Sequence, residues 1–184
     1  MYLNKINISL RNKAIYFLLF TVGGALSAEQ NLQDWENPKV NQLNTEPPHA
    51  TFIPYAASEK ALVNNIKENE NYLLLNGKWN FNWAKNPDLR PKEFYRVEYD
   101  VSDWDEISVP ADWQLHGYGY PIYTNVKYPY PKTLPYPPKD FNPVGSYKYS
   151  FNIPELWKNK EIFIHFAGVN SAFYLWINGE QFPI

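Results

Sequence analysis

Apolar and polar positions alternate with a period of two along two stretches of the chain. Trp79, Phe81 and Trp83 are separated by Asn80 and Asn82, and Tyr147, Tyr149, Phe151 and Ile153 alternate as far as Pro154. Successive side chains of a strand point to opposite faces, so each aromatic set is expected on one face of a sheet. Ile107 and Val109 predict a short strand ending at Pro110, and residues 161–166 and 172–177 predict two more, joined through Gly168 and Asn170. Asn76-Gly77, between Leu73-Leu74-Leu75 and the first aromatic run, reads as a hairpin turn, because a type I′ turn needs positive φ at both central residues. Asn178-Gly179 carries the same signal. The returning strand it announces is missing from the five residues that follow, so the domain is expected to be incomplete at its C-terminus.

Helical signals are few. Ser58 is an acceptable cap for a short helix in residues 58–71, with Ala61, Leu62 and Ile66 as its apolar positions; an ordered loop is the alternative. Residues 29–57 are rich in Asn, Pro and Gln without periodicity and read as an extended arm. Residues 117–143 hold seven prolines and seven tyrosines or phenylalanines. Long loops inside compact domains are usually functional or disordered, and the aromatic content favours an ordered, docked loop. A polyproline ligand is the rival reading, but no PxxP array with flanking basic residues is evident. Short strands, proline-rich connections and little helix predict an all-β antiparallel β-sandwich or jelly roll over residues 58–184.

Composition narrows this further. A formal charge of -2 offers no basic footprint for nucleic acid. With no cysteines, neither a disulfide framework nor a thiolate metal site is available. Lys5, Arg11 and Lys13 precede the apolar residues 14–22, which lead into Gly23-Gly24-Ala25-Leu26-Ser27-Ala28. These are the parts of a secretory signal, with cleavage expected after Ser27 or Ala28. An uncleaved anchor is the alternative, although the apolar run falls short of the roughly 20 residues a membrane span needs. The chain is therefore expected to be exported, periplasmic or extracellular, without a stable membrane anchor: residues 1–28 a leader, 29–57 the arm, 58–184 the domain.

Little catalytic chemistry is visible. Asp103 and Asp105 flank Trp104, and a solvated turn accounts for them. His49, His116 and His165 fit no metal spacing, and His165 reads as a sheet-face residue. No phosphate-cradling glycine loop and no nucleophile elbow occurs. Residues 112–126 are the exception. There Trp113, His116, Tyr118, Tyr120, Tyr123 and Asn125 gather aromatic faces with amide and imidazole donors, which suits stacking and hydrogen bonding to a sugar ring. His116 is expected either to pin the loop or to touch ligand.

Several ordered motifs carry a family resemblance. Asp34-Trp35-Glu36-Asn37-Pro38, with Gln42-Leu43-Asn44 and Pro47-Pro48-His49-Ala50, resembles the opening of the large bacterial β-galactosidases of glycoside hydrolase family 2. Leu75-Asn76-Gly77-Lys78-Trp79-Asn80-Phe81 is similar to that family's first sheet hairpin, and residues 112–126 to the loop that follows. Asn142-Pro143-Val144-Gly145-Ser146-Tyr147 and Phe166-Ala167-Gly168-Val169-Asn170-Ser171-Ala172-Phe173 continue the likeness in order.

The resemblance implies the N-terminal sugar-binding jelly roll, galactose-binding-like in fold, of an enzyme that hydrolyses terminal β-galactosides with retention. Its catalytic glutamates and magnesium ligands belong to a barrel outside this chain, so no catalytic residue and no cofactor is expected here; magnesium and sodium are implied for the full-length enzyme. It implies Asn125 as the sugar contact, since an amide both donates and accepts as a hydroxyl requires. Trp113, His116 and Tyr123 are weaker candidates. The expected partners are a β-galactoside and the remainder of the enzyme or its subunits. A stand-alone carbohydrate-binding module and a complementing interaction fragment are the alternatives.

Overall fold

The computed structural model describes residues 3–6, 34–37, 39–40, 47, 50–122, 132–133, 136–170 and 172–182. Its strands are β1 (Leu3–Ile6), β2 (Gly77–Ala84), β3 (Asp105–Val109), β4 (Val144–Lys148), β5 (Ile162–His165), β6 (Leu175–Ile177) and β7 (Glu180–Phe182). One short helix, α1 (Ser58–Val63), and several single 3-10 turns complete the described elements. Every strand pairing is antiparallel, in keeping with the all-β expectation.

The central sheet has the order β3-β2-β4. Phe81 lies opposite Asp105 on one side and Tyr147 on the other, and Trp79 lies opposite Ile107. The period-two reading of Trp79, Phe81 and Trp83 is thus realised as a single aromatic face. Phe81 and Ile107, each 1% exposed, are its most buried large side chains. Removing such side chains from water stabilises the fold by about 1.5–3 kcal/mol apiece. Trp79 stacks on Tyr149 at 4.8 Å between centroids, and Tyr149 stacks in turn on Phe151.

The opposite face carries Asn80, Asn82 and Ala84, with Lys148 opposite Asn80 and Ser146 opposite Asn82. Lys148 Nζ donates to the carbonyl oxygens of Arg96, Val97 and Tyr99 at 2.7, 3.3 and 3.0 Å, which ties the segment around residues 93–104 to this face. That segment adds a second aromatic cluster. Phe94 packs against Trp104 and Trp176, and Tyr95 stacks on Trp176, which docks the β6–β7 hairpin.

Two Asn-Gly pairs meet different fates. Asn178 and Gly179 adopt φ of 52° and 85° and close the β6–β7 hairpin, with Ile177 opposite Glu180 and Leu175 opposite Phe182. The returning strand expected to be missing is therefore present over Glu180–Phe182, and that expectation is corrected. At Asn76-Gly77 no hairpin forms. Gly77 has a φ of 143°, outside the left-handed helical well, and is already the first residue of β2. Residues 73–75 form no strand; the Leu75 carbonyl instead accepts the Trp79 indole N–H at 2.8 Å. β2 finds its partners at long range, in β3 and β4.

Other boundaries also shift. The strand expected through Ile153 ends at Lys148, and the two C-terminal strands pair with β1 and β7 rather than with each other. Ser58 lies inside α1 with its hydroxyl on Glu59, and the N-cap position is Ala57. Of the arm, the 3-10 turn Asp34–Glu36 lies within the described residues. The Tyr174 phenol is raised by burial first and by the nearby Asp34 carboxylate second. β1 lies inside the segment read as a leader, and residues 7–33 fall outside the described residues.

Candidate functional site

The loop after β3 is laid across the aromatic face of the central sheet. Trp113–His116 form one 3-10 turn, which ends where Gly117 takes a left-handed φ of 88°. Gly117 N–H donates to the Gln114 carbonyl at 3.3 Å, and Tyr118 N–H to the Trp113 carbonyl at 3.2 Å. This tight reversal turns Trp113 and Tyr118 onto the same buried ring. Phe81 meets Trp113 at 6.1 Å and Tyr118 edge-on at 4.8 Å between centroids.

Two glycines lie against these aromatic rings. A Cβ on Gly145 of β4 would fall 2.6 Å from Trp113 Cζ3, so a bare backbone lets the indole lie down. Gly119 is favoured by its left-handed φ of 65° rather than by space, since an added Cβ would meet Trp83 Cζ2 at an ordinary 3.4 Å. The Trp83 indole nitrogen is itself buried without a hydrogen-bond partner among the described residues. Beyond this point Tyr120 stacks on Phe141 at 4.8 Å, which ties the two ends of the proline-rich connection together.

One exposed polar bond joins the loop to the sheet. The Tyr118 hydroxyl donates to Asp105 Oδ2 at 2.7 Å. That bond, with burial and the carboxylate's charge as lesser causes, raises the phenol above its ordinary value. The Tyr147 phenol is raised too, by burial first and by the nearby charge of Asp112 second.

The expected site residues are distributed unevenly over this frame. Trp113 is half-buried and faces the sheet. His116 is exposed at the end of the 3-10 turn. Tyr123 and Asn125 lie outside the described residues. Asp105 was expected in a solvated turn, and its side chain is exposed as that reading implies, but the residue is not in a turn. It is instead the first residue of β3, directly opposite Phe81. The signal was available in the alternation Asp105, Ile107, Val109, which puts Asp105 on the apolar face.

Among the described residues no three His, Asp or Glu side chains gather as metal ligands. No helix of the described residues is long and apolar enough to cross a membrane.

Residues 73–183 match the family model described as glycosyl hydrolases family 2, sugar binding domain. The chain belongs to glycosyl hydrolase family 2. The family 2 match spans both the central sheet and the loop laid over it. A β-galactosidase of Priestia megaterium is 46% identical over 152 residues, covering 80% of this chain and 15% of that protein. A β-galactosidase of Psychromonas ingrahamii is 42% identical over 147 residues, covering 80% of this chain and 14% of that protein. The family 2 chain thus spans about 15% of the length of the curated relatives it matches.

Proposed function

We propose that this chain is the sugar-binding portion of an exported β-galactosidase, a jelly roll that presents one wall of a galactoside pocket through residues 112–126. The observation that carries the reading is the docked loop. The rings of Trp113 and Tyr118 are spent on the sheet face, and the sugar contact is proposed to come from residues after Tyr120. Asn125 is the proposed sugar contact, with His116, Trp113 and Tyr123 in lesser roles. The identity to two β-galactosidases supports the substrate class. Residues 1–28 are proposed to direct export, to the periplasm or beyond.

Retaining hydrolysis needs two carboxyl groups about 5–5.5 Å apart across the scissile bond. Asp105 is engaged by Tyr118, and the chain is proposed to bind rather than cleave. The remainder of a family 2 enzyme is its proposed partner and supplies the acid and the nucleophile. Calorimetric titration with methyl β-D-galactoside tests this. Binding that Asn125→Ala weakens, with the thermal midpoint unchanged, is expected. Hydrolysis of an aryl β-galactoside by the chain alone, abolished by changing one of its own carboxylates, would overturn it.

A further inference from the structure

We infer that Asp105 is a positioning residue, holding the Trp113–Tyr120 loop in the pose from which it serves sugar through its bond to Tyr118. The inference rests on the reading of that loop as part of a galactoside site. It adds a residue outside the loop, on a strand of the sheet beneath.

Apolar contacts alone leave this loop one freedom. Trp113 is seated by the gap at Gly145, and Gly119 rests on Trp83. Between them Tyr118 is flanked by two glycines in left-handed conformation, Gly117 and Gly119. Glycine admits many backbone conformations, so the conformation at these two positions must be set from elsewhere. The edge-on contact of Tyr118 with Phe81 fixes where the ring lies but not how far it slides along the sheet. A 2.7 Å hydrogen bond to a carboxylate does fix that distance, because charge-assisted bonds are short and directional. Asp105 is itself held by the β-ladder, opposite Phe81. The reference point is therefore a strand of the central sheet.

The test compares Asp105→Ala, Asp105→Asn and Tyr118→Phe in the full chain. Three readouts are followed: chymotryptic cleavage at residues 115–120, affinity for methyl β-D-galactoside, and the thermal midpoint. Losing one net hydrogen bond is expected to speed cleavage and weaken affinity about fivefold in D105A and Y118F. The midpoint falls by a few degrees at most, since a single exposed bond is lost. Asp105→Asn keeps an oxygen that accepts the phenol proton but not the charge, and is expected to restore both readouts in part. Unchanged cleavage in D105A and Y118F would overturn the inference, as would an Asp105→Asn variant as impaired as D105A. Should D105A fail to fold, Y118F decides, since it keeps the ring that packs on Phe81. Wild-type chain that does not bind the galactoside would sink the sugar-binding reading; the cleavage rates would then still decide whether Asp105 sets the pose.

Discussion

Gly145 leaves the space in which the ring of Trp113 lies. An added Cβ would come within 2.6 Å of Trp113 Cζ3 and 2.8 Å of Phe81 Cε2. Neither neighbour can swing away cheaply, since Phe81 is 1% exposed and Trp113 is pinned between it and β4. Gly145→Ala is therefore expected to cost about 1–3 kcal/mol, the usual penalty for overpacking. Urea denaturation gives the stability. A red shift of tryptophan emission, from a displaced Trp113, separates this cause from a general loss of structure.

Burial contrasts sharply between Phe81 and Leu115. Phe81→Ala removes the ring on which Trp113, Tyr118 and Tyr147 converge and is expected to cost about 3–5 kcal/mol. Leu115, 81% exposed on the same loop, is expected to tolerate alanine within about 0.5 kcal/mol. Denaturant midpoints of the two variants check both.

Alkaline pH should loosen the loop. The phenols of Tyr118 and Tyr147 are both raised, the first chiefly by its bond to Asp105 and the second chiefly by burial. The folded state holds these protons more tightly than the unfolded chain does. Their contribution is intact below the unfolded phenol value of about 10 and is lost as pH rises through the higher folded values. Absorbance near 295 nm followed against pH should show late-titrating tyrosines, and Tyr118→Phe should remove one of them.

Lys148 holds the opposite face through three carbonyl oxygens. Lys148→Met keeps the apolar stem but none of the donors, and is expected to cost about 1–2 kcal/mol. Faster amide exchange in residues 93–104, with the β2–β3 ladder unchanged, would show that the loss is local to that segment.

How much of this was legible in the chain depended on distance. The face shared by Trp79, Phe81 and Trp83 followed from a local period of two, and the Asn178-Gly179 turn from a local demand for positive φ. Asn76-Gly77 carries the same two residues without turning, because β2 pairs with β3 and β4 rather than with residues 73–75. Asp105 was misread for a related reason. Charge beside Trp104 looks like a solvated turn until a tyrosine thirteen residues later is brought over it.

By itself the sequence determined the all-β class, the strand faces and the aromatic, proline-rich loop after β3, because alternation and turn residues act over a few positions. Only the tertiary structure decided which strands became neighbours, that Trp113 and Tyr118 lie down on Phe81, and that the Tyr118 hydroxyl meets Asp105. Those outcomes depend on long-range pairing and close packing, where a missing Cβ at Gly145 counts as much as any side chain.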